Sequence, residues 1–164
     1  ENYIDTRLYG DLMISLRPPA DEWEKSWRKN NESHPLVNNW KFVGLGICVN
    51  DLDMAAKYYS KLGFKNCSKV KERKEWSVNS QEFCLGGIVF ELIQAHKRSI
   101  YSKSLEQRAE GVAELIFMVS DLQKEINSLA KKGTDTLIIS KEKKMASIDT
   151  RHKANILIRL IEED

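Results

Sequence analysis

The chain has 164 residues, 30% of them charged and 41% hydrophobic, with a net charge of +2. That is a soluble, ordered composition with room for one domain or two small modules sharing a core. The two signs are interspersed, so the segregated basic face that marks a nucleic-acid partner is missing, and no apolar run approaches the roughly 20 residues of a membrane helix.

The first stretch, residues 1–19, reads as the terminal strands of a preceding, incomplete module, stopped by Arg17-Pro18-Pro19 because proline cannot donate to a ladder. The chain opens without Met inside a repeat unit, which suggests a piece of a longer protein. Residues 20–40 read as a helical linker whose Trp23 and Trp27 pack on the domain. A first module follows at 41–97. It has a strand over 42–49 and a helix from Asp51-Leu52-Asp53 to Lys61, with Gly63 as its stop. Three more strands lie near 65–70, 76–84 and 87–94. Aspartate accepts the orphan N–H bonds of a helix start, and glycine tolerates the left-handed turn at its end.

A linker at 98–111 leads to the second module at 112–164. It has a strand over 112–119 and a helix from Ser120-Asp121 to Lys132, with Gly133 as its stop. Leu122, Ile126 and Leu129 share one face of that helix. Strands at 136–140, 145–150 and 155–162 complete it. Each half therefore reads strand, helix, strand, strand, strand.

The order repeats because the sequence does. Ile4, Asp5, Thr6, Arg7, Ile14 and Leu16 recur as Ile148, Asp149, Thr150, Arg151, Ile158 and Leu160. A weaker echo pairs Leu45, Val49, Asp51, Leu52, Lys61 and Gly63 with Leu115, Val119, Asp121, Leu122, Lys131 and Gly133. A repeated supersecondary unit governs the whole fold.

The remaining signals are modest. Cys48, Cys67 and Cys84 are an odd number without CxxC spacing, which reads as free thiols in a reducing cytoplasm. The basic runs 69–74 and 141–144 read as solvated turns. His34, His96 and His152 fall in linkers and turns.

A paired βαβββ unit resembles the vicinal oxygen chelate superfamily, which includes glyoxalases, bleomycin-resistance proteins, extradiol dioxygenases and methylmalonyl-CoA epimerases. The residues that carry the resemblance are Gly44-Leu45-Gly46-Ile47-Cys48-Val49-Asn50-Asp51-Leu52, Leu62-Gly63-Phe64, Val89-Phe90-Glu91-Leu92-Ile93 and Glu110 to Leu115. The linker from Tyr101 to Gly111 looks most like the epimerase branch. The fold implied is α+β: two βαβββ modules forming a cupped, mostly antiparallel sheet with helices outside.

Strand alternation then sends Gly44, Gly46 and Cys48, Val89, Glu91 and Ile93, Glu114, Ile116 and Met118, and Leu157, Arg159 and Ile161 into the cup. In metal-using members, the positions of Gly44, Glu91, Glu114 and Arg159 resemble a His, Glu, His, Glu ligand set. Here Glu91 alone keeps the family's residue. A guanidinium 4 Å from a divalent ion is repelled by ~8 kcal/mol at an effective dielectric of about 20. No tightly bound metal is expected, and Glu91 and Glu114 are the ligands of a weak divalent ion if one binds.

Three functions fit. The first is a metal-free module that binds a small anionic molecule through Arg159, over a floor of Gly44, Gly46 and Cys48 and walls of Ile93, Ile116, Met118 and Ile161. The second is an isomerase or lyase of the epimerase or glyoxalase type, with Glu91 or Glu114 abstracting a proton next to a carbonyl. The third is a non-catalytic module that pairs as a homodimer or with a neighbour in a parent chain.

Overall fold

The structure, a computed structural model, describes residues 2–16, 40–102, 106, 109–134, 136–140 and 144–163. The expected Trp23/Trp27 helix and His34 lie outside the described residues. A hairpin of β1 (Asn2–Asp5) and β2 (Met13–Leu16) stands apart from the main sheet. The first half then runs β3 (Lys41–Cys48), α1 (Leu52–Lys61), β4 (Lys65–Asn66), β5 (Lys71–Arg73), a 3-10 turn (Lys74–Trp76), β6 (Val78–Leu85) and β7 (Ile88–Ala95). The second runs β8 (Gly111–Val119), α2 (Leu122–Lys131), β9 (Thr136–Ser140), β10 (Met145–Asp149), a single helical turn α3 (Arg151–Ala154) and β11 (Leu157–Glu162).

Both long helices start and stop where their sequence signals stand. The Asp51 carboxylate accepts from the Met54 N–H and that of Asp121 from the Lys124 N–H, each at 2.9 Å. Beyond the last turns, Gly63 and Gly133 take φ of +93° and +73°, a conformation glycine adopts without strain.

Among the described residues, nine strands form one mixed sheet in the order β4-β6-β7-β3-β8-β11-β10-β9, with β5 also on β6. At its centre β3 and β8 run antiparallel with Leu45 opposite Leu115, two residues matched by the echo. Equivalent residues face one another across an antiparallel pair only when a local two-fold passes between them, so this pairing locates the axis relating the halves. Two apolar clusters lie on the helix side: Ile47, Val49 and Leu92 with α1, and Ala146, Ile148 and Leu160 with α2. A third, formed by Cys48, Trp76, Val78, Ile93, Tyr101, Ala113 and Leu157, fills the concave side.

The long repeat is visible atom by atom. The Thr6 hydroxyl donates to the Leu12 carbonyl at 2.7 Å, and that of Thr150 to the Ile156 carbonyl at 2.6 Å. Arg7 closes a fork on Asp5 as Arg151 does on Asp149. The hairpin lays Ile4 and Ile14 against the α1-side core. It is clamped by Glu110, whose two carboxylate oxygens accept from Gly10 N at 2.8 Å and Asn50 N at 2.7 Å.

Three expectations need correction. The strand near 65–70 is two short pieces on one edge, because the regular ladder with β6 is interrupted between Asn66 and Lys71, where the Ser68 side chain takes the place of a backbone partner for Glu82 N. The run 69–74 is not only a solvated turn, since it includes β5, whose Arg73 reaches the interior. Cys67 and Cys84 are not free thiols: they form a disulfide, with Cα atoms 6.1 Å apart. Strand pairing of Lys65 with Cys84 brings them together, which residue spacing could not reveal. The cytoplasmic reading thereby loses its thiol argument. Among the described residues, no helix is long and apolar enough to cross a membrane.

Candidate functional site

Glu91, Glu114 and Arg159 lie on β7, β8 and β11, with relative exposures of 1%, 0% and 3%. Parallel pairing sets Glu91 beside Gly46 and Arg159 beside Ile116. Gly46 and Ile116 stand at equivalent places on either side of the Leu45–Leu115 pair. Glu91 and Arg159 are therefore related by the local two-fold, and their opposite charges meet across it. Arg159 Nη2 donates to Glu91 Oε2 at 2.7 Å and also to Glu114 Oε2.

Further groups enclose this core. Arg73 Nη2 lies 2.7 Å from Glu91 Oε1, an ion pair without an aligned hydrogen bond. The Trp76 ring sits under both cations, 4.9 Å from Arg73 Cζ and 5.2 Å from Arg159 Cζ. Such cation–π contacts strengthen where water is excluded. The Tyr101 hydroxyl donates to Glu114 Oε2 at 3.2 Å. Two guanidinium groups thus balance two carboxylates, and Trp76 and Tyr101, at 3% and 0% exposure, are packed beside them.

The electrostatics follow from this packing. Burial would raise the Glu91 carboxyl, but Arg159 and then Arg73 outweigh it and hold the group below its ordinary value. Burial also works against the Arg159 charge, yet Glu114 and Glu91 push its pKa upward. The Tyr101 phenol is raised well above its usual value by burial and by the neighbouring Glu114 charge. The Cys48 thiol, raised to about 12 by burial and then by Glu114, is not a nucleophile at neutral pH.

The two glycines do not hollow out a floor. A Cβ on Gly44 would lie 2.6 Å from the Val89 carbonyl oxygen, so neighbouring backbone takes up that space. A Cβ on Gly46 would lie 2.9 Å from both Cβ and Oε2 of Glu114, so this glycine admits the Glu114 side chain. Cys48 and Ile93 join the concave cluster. Ile116 is buried beside Arg159 in the ladder, whereas Met118 and Ile161 are half-buried one ladder step further along. A cavity of about 390 Å³ opens next to the cluster, lined by Asp11, Cys48, Glu110, Gly111, Val112 and Ala113 among others. Of the expected ligand-contacting residues, Cys48 is the one that lines it.

These side chains do not suit the metal that the fold's metal-using members hold. Gly44 has no donor atom and no room for one, and the Arg159 guanidinium occupies the space between the two carboxylates. Among the described residues, no group of three or more His, Cys, Asp and Glu is placed to hold an ion.

Residues 45–150 match the family model of the Glyoxalase/Bleomycin resistance protein/Dioxygenase superfamily. The chain belongs to that superfamily. Its fold is shared with a methylmalonyl-CoA epimerase from Mycobacterium tuberculosis, at a TM-score of 0.68 and 22% identity over 80% of this chain and 92% of that one. A methylmalonyl-CoA epimerase in complex with methylmalonyl-CoA and an ammonium ion gives 0.67 at 20% identity, over 76% and 95% of the two chains. A Streptomyces coelicolor epimerase variant in complex with 2-nitronate-propionyl-CoA gives 0.67 at 19%, over the same shares. A search of curated proteins finds no significant match.

Within this superfamily fold, alternation along β7, β8 and β11 was enough to bring Glu91, Glu114 and Arg159 together. Arg73, Trp76 and Tyr101 escaped sequence reasoning. Arg73 sits in a charge run that resembles a turn, and Tyr101 lies in a linker. The one available signal was Trp76, a large aromatic beside a run of charges.

Proposed function

We propose that this domain is a metal-free, non-catalytic member of the superfamily, in which a buried ion-pair cluster takes over the space of the metal site. One observation carries the reading: Arg159, 3% exposed, bridges Glu91 and Glu114, the carboxylates that an ion or a proton-abstraction step would need. A carboxylate engaged by a guanidinium in a buried site is a poor general base, since taking up a proton would break the pair. Pairing with a second copy or a neighbouring module belongs to this reading. The hairpin supports it, because its threonine and arginine hydrogen bonds copy those of the β10–β11 end of the second half.

Metal analysis of protein purified without chelator, with thermal-shift titration of divalent ions, tests the proposal. The expected result is no bound ion, no rise in melting temperature, and no deuterium exchange into the α-carbon of an acyl-CoA thioester. One stoichiometric ion lost in Glu114→Gln, or measurable exchange, would return the domain to the isomerase or lyase class and make Glu91 or Glu114 its base. Light scattering tests pairing: a strictly monomeric species at high concentration removes the second copy.

A second reading, the binding of a small anionic molecule, is favoured by a separate observation. Arg73 Nη1, Trp76 Nε1, Ser147 Oγ and Arg159 Nε are buried donors without a hydrogen-bond partner. A ligand rich in acceptor oxygens would satisfy them. If carboxylates or phosphates raise the melting temperature of the wild type but not of Ser147→Ala, this reading gains over the first.

A further inference from the structure

We infer that the Cys67–Cys84 disulfide is a redox latch on a strap whose far end closes the cup with Arg73 and Trp76. The strap runs along the outer edge of the sheet, where β4 is the terminal strand and β5 shares the same β6 edge. Its backbone anchorage is slight. β4 pairs Lys65 with Cys84 and Asn66 with Phe83, and β5 pairs Lys71, Glu72 and Arg73 with Ser80, Asn79 and Val78. Between them, Cys67 N donates to the Glu82 carbonyl at 2.9 Å, and Glu82 N donates to the Ser68 hydroxyl at 3.0 Å.

Along 65–72 every residue is exposed except half-buried Ser68, so this stretch has little apolar burial to hold it. The buried load comes at the end: Arg73 on Glu91, then Trp76 under both guanidinium groups. A short, exposed edge strand opens locally at small free energy unless something pins it. The covalent pin here is Cys67–Cys84, which closes a loop with a sequence separation of 17. Cys67 is exposed and Cys84 half-buried, so a reductant can reach the bond.

The chemistry balances with a dithiol as reductant. One of its thiolates attacks a sulfur of the disulfide, the Cys67–Cys84 bond breaks and a mixed disulfide forms. The second reductant thiolate then displaces the protein sulfur. Two electrons pass to the protein, which ends with two thiols after taking up two protons, and the reductant leaves as its own disulfide. Reduction would free the strap at its middle, let β5 fray, and withdraw Arg73 and Trp76 from the cluster. Arg159 would remain with Glu91 and Glu114 but face solvent. This inference is independent of the metal-free reading, which metal content decides without reference to the strap.

The test is hydrogen exchange by mass spectrometry on the full chain, oxidised and after dithiothreitol, with complete reduction confirmed by the mass of two added hydrogens. The amides of residues 71–77 are expected to exchange roughly tenfold faster on reduction, while those of β10 keep their rate. Cys67→Ser should reproduce this without reductant, and phenylglyoxal should label Arg73 faster in both cases. Unchanged exchange at 71–77 after full reduction would overturn the inference. So would equal acceleration throughout the chain, which would make the disulfide a global staple. Finding both cysteines alkylated in protein purified without reductant would overturn it as well.

Discussion

Replacing Arg159 by methionine puts the buried cluster under direct strain. The change keeps most of the side-chain volume and removes the charge that engages Glu91 and Glu114, which are 1% and 0% exposed. Removing one partner of a buried pair destabilises by about 3–5 kcal/mol, because the charge left behind has lost its solvation and its partner. Arg73 still faces Glu91 and the Tyr101 hydroxyl still reaches Glu114, so the lower end, about 3 kcal/mol, is expected. For a chain of this length, each kcal/mol moves the melting temperature by roughly 2–4 °C, so the variant should melt about 10 °C below the wild type. Urea unfolding at neutral pH gives the free energy directly. A companion variant, Arg159→Met with Glu114→Leu, removes one charge of each sign and leaves the Arg73–Glu91 pair. It should recover most of the loss, as apolar replacements of buried ion pairs often do. A loss of less than about 1 kcal/mol in Arg159→Met, or a double variant less stable than the single one, would show that the Arg159 bridge does not hold the cluster together.

Acid should destabilise the wild type. The Glu91 carboxyl is held below its ordinary 4.5 in the folded state, so its contribution is complete above that pH and is lost as pH falls through the folded value. Urea midpoints measured downward from pH 5 should therefore drop, with a shallower slope in Arg159→Met; equal slopes would disconnect Glu91 from Arg159. Gly44→Ala should cost about 1–3 kcal/mol, because the new Cβ meets the Val89 carbonyl oxygen at 2.6 Å and backbone has to move. A loss under about 0.5 kcal/mol would show that β3 and β7 separate freely there. Glu110→Ala strips the acceptor from Gly10 N–H and Asn50 N–H, at about 1–3 kcal/mol, and should speed amide exchange in the β1–β2 hairpin. Unchanged exchange in that hairpin would mean the Glu110 clamp does not hold it.

Much of this molecule is local physics that can be read residue by residue. Asp51 and Asp121 cap helices because a short carboxylate reaches the N–H three residues on, whatever the tertiary setting. The Ile-Asp-Thr-Arg repeat builds the same turn twice because its hydrogen bonds close within a few residues. Period-two alternation placed Glu91, Glu114 and Arg159 on the concave side, and the departure of Gly44 and Arg159 from the metal-ligand pattern was legible before any coordinates.

What came only with the tertiary structure depends on contacts between distant segments. The Cys67–Cys84 bond exists because β4 folds onto β6, and an odd cysteine count says nothing of that. Arg73 stands in a run of charges that composition assigns to solvent, yet the edge strand carries it to Glu91. Tyr101 closes on Glu114 from a linker with no periodicity to mark it. The sequence named the charges in the cup; packing alone decided that they neutralise one another over the Trp76 ring, because burial and counterion distance depend on where separate strands meet.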